Sequence, residues 1–268
     1  MHVMKNSKNI GLVLSGGGFK GVAHIGAIQA FEEANIVPKY ISGTSAGAIV
    51  GSLYAGGYSP EEIKDFFKKT PIFKFNRFTR KKAGFLDSEK FLDDLKTFFP
   101  DNSFEALQKK LCITATNLVE GTTKVFDTGE LIKPILASAA FPGVFTPVMI
   151  DGELYADGGI LDNFPIQPLK KKCDFIIGID VSPIKKPKIT DFKHSYNVMQ
   201  RAYYLRAMPN AEVKFKQCDI VVQPKKLVNH GIFNSSSLEK VYDMGYEEAK
   251  QQISLFLKNQ ENDSGDKK

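Results

Sequence analysis

The sequence of 268 residues has few cysteines and no long apolar run. Its three cysteines, Cys112, Cys173 and Cys218, are odd in number and far apart, which fits neither a zinc site nor a disulfide framework. No stretch approaches the roughly 20 apolar residues of a membrane span. The apolar run near residue 10 is short and interrupted by glycine, unlike a signal peptide. We therefore predict a cytoplasmic protein that at most lies peripherally on a membrane.

Apolar strand-like runs alternate with helical periodicity along most of the chain. The runs NIGLVLS, YIS and DFIIGIDVS read as buried strands, and residues 22–35, 46–54 and 88–99 as helices between them. Strands separated by helices favour an α/β fold with a mainly parallel central sheet covered on both faces. We predict one domain, in which residues 183–258 form a C-terminal extension packed on the same sheet and residues 259–268 form a disordered tail.

A glycine-rich turn follows the first predicted strand. Gly16, Gly18 and Gly21 satisfy G-x-G-x-x-G, which alone favours a dinucleotide site. That site also needs an acidic residue at the end of the second strand, and the sequence there, YISGTSAG, offers none. A P-loop is excluded as well, because no Gly-Lys-Ser/Thr closes the turn.

The second predicted strand ends in GTSAG, a G-x-S-x-G nucleophile elbow in the required strand–turn–helix context. Gly43 and Gly47 are small enough for a tight turn that presents the Ser45 hydroxyl above the sheet. Adjacent parallel strands place both turns at one sheet edge, so the amides near Gly17 and Gly18 can face the serine oxygen. The glycine turn is therefore predicted to hold transient negative charge, as an oxyanion hole.

A nucleophilic serine needs a base, and the sequence leaves two kinds open. Asp157 precedes Gly158 and Gly159 in a turn, and an aspartate can act directly if burial raises its pKa. The plainer interpretation of Asp157 is an ordinary Asp-Gly turn residue. Alternatively, His194 or His230 completes a triad, since both follow the serine in the order that such triads use.

Four segments together resemble the patatin-like phospholipase family, particularly its short bacterial single-domain members. They are SGGGFKG at 15–21, GTSAG at 43–47, ASAAFPGVFTPV at 137–148 and DGG at 157–159, within a catalytic core of residues 9–182. The resemblance implies a three-layer α/β/α sandwich and a histidine-free dyad of Ser45 and Asp157. It further implies an oxyanion hole made by the amides of Gly16, Gly17 and Gly18, with Lys20 as the basic residue of the glycine turn. Ser15 and Gly159 depart from the family, where many members have Asp and Ala.

The activity that the resemblance implies is that of a phospholipase A, lysophospholipase or carboxylesterase working through an acyl-enzyme. The substrates would be phospholipid, lysophospholipid or fatty-acyl esters, and neither a metal nor another cofactor is expected. A transacylase is compatible with the same intermediate, because an alcohol can intercept it instead of water. The alternatives are a histidine-dependent α/β-hydrolase esterase and a lipid- or acyl-binding protein with incidental turnover.

Basic residues outnumber acidic ones by 36 to 30, a net charge of +6, which favours an anionic partner or simply a lysine-rich solvated surface. Aromatic and basic side chains interleave in residues 73–85, among them Phe75, Arg77, Phe78, Arg80, Lys81 and Lys82. This mixture suits an anionic membrane surface, with nucleic acid as the less favoured partner. We predict a substrate flap that transiently contacts lipid head groups; the alternative is a basic loop packed onto the body.

Overall fold

The computed structural model describes residues 9–70, 88–183, 186–207, 211–230 and 237–265. The predicted flap at 73–85 lies outside these residues. Within them, eight strands form one sheet. The strands are β1 Ile10–Leu14, β2 Tyr40–Thr44, β3 Lys110–Asn117, β4 Thr122–Phe126, β5 Val148–Ile150, β6 Glu153–Asp157, β7 Phe175–Ile179 and β8 Ile220–Val222.

The sheet is parallel in its larger part and antiparallel at one side. Its order is β5-β6-β3-β2-β1-β7-β8, with β4 paired to β3 outside this path. In this spatial order, the neighbouring strands of the series β3-β2-β1-β7-β8 pair in parallel. By contrast, β4 and β6 are antiparallel to β3, and β5 is antiparallel to β6. The predicted mainly parallel α/β sheet is confirmed.

Helices connect the strands and cover the sheet. They are α1 Val22–Glu33, α2 Ala46–Ala55, α3 Pro60–Lys69, α4 Ser88–Phe98, α5 Ile132–Ser138, α6 Ser195–Ala207, α7 Ala211–Phe215 and α8 Leu238–Gly265. Local sequence determines where α3 begins. Ser59 and Glu62 form a capping box, and Pro60 occupies the first turn of the helix.

Burial on both faces of the sheet follows from the alternation of side chains along each strand. In β1, Leu12 and Leu14 face the larger core, which is formed with helices α1 to α5 and α8, while Val13 faces a second core. That second core includes Phe164, Ile166 and Leu169 of the segment before β7. The molecule is thus layered, with the sheet between two covering layers.

The C-terminal segment joins the same sheet through β8, which pairs with β7, and through α8, which packs along α1. The last helix differs from the sequence prediction: it continues to Gly265, so residues 259–265 of the predicted disordered tail are helical. A formed helix adds one hydrogen bond for each further residue, so it can extend beyond its last packed turn. In the part of the chain that the structure describes, no helix has the length and apolar character needed to cross a membrane.

Candidate active site

Strand β3 brings the two principal site residues together. The last residue of β2, Thr44, pairs with Thr114 of β3, and the last residue of β6, Asp157, pairs with the next residue, Ala115. The chain therefore leaves β2 and β6 at neighbouring points along one strand. Ser45, directly after β2, comes to lie beside Asp157.

Ser45 occupies a strained turn between β2 and α2. Its φ of 54° lies in the left-handed region, which is uncommon for a residue with a side chain. Such an outlier is typical of a nucleophile elbow, in which a sharp turn exposes the serine hydroxyl. Gly43 of β2 packs against Gly47 of α2, as the small residues of GTSAG predict.

The Ser45 hydroxyl donates a hydrogen bond to Oδ2 of Asp157 at 2.7 Å. Asp157 is fully buried, and burial raises the pKa of its carboxyl to about 6, although hydrogen bonds from Ser45, the Gly159 amide and Tyr203 partly oppose the shift. A carboxylate in this position is a stronger base than an exposed aspartate and is still ionised at neutral pH.

The other carboxyl oxygen and the backbone of Asp157 are also held. Oδ1 accepts hydrogen bonds from the Gly159 amide at 2.8 Å and from the Tyr203 hydroxyl at 2.9 Å. The Asp157 amide donates to the carbonyl of Ala140, and its carbonyl accepts from the Thr116 hydroxyl, both at 3.0 Å. Gly158 begins the 3₁₀ turn Gly158–Ile160 and packs against Thr114.

Ser138 is a site residue to which the sequence analysis gave no role. Its hydroxyl accepts a hydrogen bond from the Ser45 amide at 2.9 Å and donates one to the Thr114 carbonyl at 2.7 Å. It lies in the ASAAFPGVFTPV segment, so the resemblance marked the segment but not this contact. Ser138 thus links the backbone of the Ser45 turn to β3.

The glycine turn passes beside Ser45. A Cβ built on Gly16 would lie 3.1 Å from the Cβ of Ser45, and the 3₁₀ turn Gly18–Gly21 ends with Gly21 against Ala46. The Gly16 amide donates to the carbonyl of Asn163 at 3.2 Å. Among the described residues, neither the Gly17 amide nor the Gly18 amide donates a hydrogen bond to a backbone carbonyl.

Lys20 belongs to the turn Gly18–Gly21 and is buried. Burial lowers the pKa of its ammonium to about 8, and the charge of Asp180 partly opposes the shift. Asp180 is itself buried and accepts hydrogen bonds from the Gln223 side chain at 2.8 Å and the Ser182 amide at 3.1 Å. The charge of Lys20 thus lies inside the protein, in the same turn as Gly18 and Gly21.

Three of the four histidines lie in the described part of the chain. His194 is exposed before α6, and Nδ1 of His230 is 3.1 Å from the Ser237 hydroxyl. His24 is buried, with Nε2 2.8 Å from the Ser15 carbonyl. No hydrogen bond recorded among the described residues joins any of these three to Ser45 or Asp157, so the acceptor that Ser45 meets is the carboxylate.

Solved structures share this fold. VipD from Legionella pneumophila matches with a TM-score of 0.59 and 16% identity, over 94% of this chain and 67% of VipD. ExoU in its complex with SpcU from Pseudomonas aeruginosa matches with a TM-score of 0.50 and 20% identity, over 93% of this chain and 52% of the other. Fold and site together define an α/β protein with a serine–aspartate pair at the edge of its sheet.

The protein-family model for "Patatin-like phospholipase" matches residues 12–170. The chain belongs to this family. Two relatives are the lysophospholipase NTE1 of Meyerozyma guilliermondii, 25% identical over 90% of this chain, and an uncharacterized NTE family protein of Mycobacterium bovis, 38% identical over 61%. The aligned regions span 19% and 46% of those two proteins, so the chain covers less than half of either. The family and its lysophospholipase members support a lipid hydrolase.

Proposed function

We propose that the chain is a serine lipid acyl hydrolase that cleaves phospholipid, lysophospholipid or fatty-acyl esters through an acyl-enzyme. The observation that carries the proposal is the 2.7 Å hydrogen bond from Ser45 Oγ to the buried carboxylate of Asp157. The lipid substrate class rests on membership of the patatin-like phospholipase family and on the lysophospholipase relatives.

In the first half of the reaction, Ser45 Oγ attacks the ester carbonyl carbon while its proton passes to Asp157 Oδ2. The negative charge on the carbonyl oxygen needs hydrogen-bond donors. We assign these to the Gly17 and Gly18 amides, because the Gly16 amide already donates to Asn163. Collapse of the tetrahedral intermediate breaks the ester C–O bond, and Asp157 returns the proton to the departing alcohol.

The second half repeats these steps with water. Asp157, ionised again, takes a proton from a water molecule whose oxygen attacks the acyl carbon of the Ser45 ester. When this intermediate collapses, the proton goes to Ser45 Oγ and the fatty acid leaves. Every proton transfer uses Asp157, so this scheme requires neither histidine nor metal.

The proposal is tested by labelling with a long-chain alkyl fluorophosphonate and mass spectrometry of the protein. We expect the label on Ser45, no label in Ser45→Ala, and labelling slowed at least about 100-fold in Asp157→Asn, since general base catalysis contributes about 10²–10⁴-fold. Ser52→Ala is the matched control, because the hydroxyl of this buried serine donates to the Ala48 carbonyl of its own helix, α2.

Three outcomes would contradict the proposal. An unlabelled wild type would favour an acyl-binding protein, and persistent labelling of Ser45→Ala would place the nucleophile elsewhere. Normal labelling in Asp157→Asn together with a loss in His194→Ala or His230→Ala would favour the histidine-dependent esterase. Hydrolysis of lysophosphatidylcholine by the wild type, absent in Ser45→Ala, then tests the lipid substrate directly.

A further inference from the structure

Tyr203 reaches the candidate base from outside the region that the family model covers. It lies in α6, whereas that model ends at residue 170. Its hydroxyl donates to Oδ1 of Asp157 at 2.9 Å, the oxygen that does not face Ser45. The C-terminal segment therefore supplies a direct contact to the site.

Packing fixes the ring that makes this contact. The rings of Tyr203 and Phe141 lie with centroids 4.8 Å apart, and Phe141 follows α5 in the ASAAFPGVFTPV segment. On the same face of α6, the Met199 side chain lies against Gly143. Two side chains one turn apart thus dock α6 on this segment and aim the Tyr203 hydroxyl at the carboxylate.

Gly159 makes room for that hydroxyl. A Cβ built on Gly159 would overlap the hydroxyl oxygen of Tyr203 and would lie 2.9 Å from its Cζ. An alanine at this position, as in many members of the resembled family, is therefore incompatible with Tyr203 in this place. Glycine at position 159, where many family members have alanine, therefore leaves the space that the Tyr203 hydroxyl occupies.

We propose that Tyr203 is a positioning residue for Asp157, and that Gly159 is the residue that admits it. Together with the Gly159 amide, the Tyr203 hydroxyl occupies Oδ1 and leaves Oδ2 directed at Ser45. This inference rests on the proposed function, because it concerns the base of that same reaction.

The hydroxyl also stabilises the ionised carboxylate. Among the described residues, the groups that act on the pKa of Asp157 are the hydroxyls of Ser45 and Tyr203 and the Gly159 amide, all of which lower it against the effect of burial. Tyr204 lies beside Tyr203, with ring centroids 5.9 Å apart. Burial and the nearby carboxylate raise the pKa of Tyr203, so it stays a protonated donor. Removing its hydroxyl raises the pKa of Asp157, and the active, ionised base then forms only at higher pH.

The test is the pH profile of kcat/KM for p-nitrophenyl butyrate, together with the pH dependence of fluorophosphonate labelling. For Tyr203→Phe we expect the acid limb to move upward by about one pH unit, which corresponds to the loss of about 1.4 kcal/mol of interaction with the charged carboxylate. Activity then falls about tenfold on the acid side and stays close to wild type on the alkaline plateau. Tyr58→Phe is the control, because that hydroxyl donates to the Phe98 carbonyl.

Gly159→Ala should shift the acid limb in the same direction by displacing the hydroxyl. The double variant Gly159→Ala/Tyr203→Phe should shift it no further than the larger single change, because both changes remove one contact. An unshifted acid limb in a folded Tyr203→Phe, with or without a lower kcat, would overturn the inference, and so would additive shifts. If the Gly159→Ala variant does not fold, the acid limb of the Tyr203→Phe variant alone tests the inference. Loss of activity in Ser45→Ala and Asp157→Asn with an unshifted Tyr203→Phe would remove this inference and leave the proposed function standing.

Discussion

At the scale of single residues, the proposed mechanism requires Asp157 to be ionised before it accepts the proton of Ser45. Its pKa is raised by burial to about 6, so we expect kcat/KM of the wild type to rise with pH through a midpoint near 6 and to level off above it. The check is a pH–rate profile measured for wild type, His194→Ala and His230→Ala, which should coincide. A midpoint near the ordinary aspartate pKa of about 3.9, or a midpoint that changes in a histidine variant, would contradict this assignment.

Ser138 carries a second prediction at this scale. Ser138→Ala leaves the Ser45 amide and the Thr114 carbonyl without their partner, and a buried unpaired group costs about 1–3 kcal/mol. Since one of these groups belongs to the nucleophile turn, we expect kcat to fall about tenfold with little change in KM, and the melting temperature to fall as well. Ser52→Ala should change neither, and equal effects in the two variants would show that the Ser138 contact has no specific role.

At the scale of elements, the order and type of the strands and helices could be predicted from the sequence better than the contacts between them. Buried runs such as IGLVL and FIIGI identify strands because a central parallel strand is apolar on both faces. The GTSAG elbow could be located because its small residues and its place after a strand are local features. The meeting of β2 and β6 along β3 could not be derived from local pattern, since register between distant segments leaves no signal in either; the family resemblance supplied the pairing of Ser45 with Asp157. Tyr203 was missed because α6 belongs to no recognised motif.

The packing of α1 against α8 could likewise not be predicted from the sequence, and it leads to a testable prediction. A Cβ on Gly245 of α8 would overlap the Ala23 carbonyl of α1 and lie 2.8 Å from the Ala23 Cα. Alanine normally stabilises a helix by about 1 kcal/mol over glycine, whereas overpacking costs about 1–3 kcal/mol. We expect the clash with the Ala23 backbone to dominate, so that Gly245→Ala lowers the free energy of unfolding in urea by up to about 2 kcal/mol. Ser254→Ala, at an exposed position of α8, should not lower it, and a Gly245→Ala variant as stable as wild type would contradict the close packing.

At the scale of the whole molecule, the proposed lipid hydrolase has to meet its substrate at an interface, and the excess of basic residues bears on how it does so. The net charge of +6 is modest, so its distribution matters more than its size. Salt screens exposed charges beyond about 10 Å at 0.1 M, which means that only cations close to the lipid surface contribute strongly. The basic and aromatic segment 73–85 is the part of the sequence that combines both features.

If this segment contacts anionic lipid, its charges should contribute more to membrane binding than an equal number of charges elsewhere on the protein. Reversal of Arg80, Lys81 and Lys82 to Glu and reversal of the exposed Lys96, Lys133 and Lys172 to Glu both bring the net charge from +6 to 0. Each cation near an anionic membrane contributes about 1 kcal/mol, so the first variant should partition onto phosphatidylserine-containing vesicles at least about 100-fold more weakly than wild type. The second should lose much less, and none should bind pure phosphatidylcholine strongly. Equal partitioning of the two variants in a vesicle sedimentation assay would show that net charge, and not this segment, governs membrane contact.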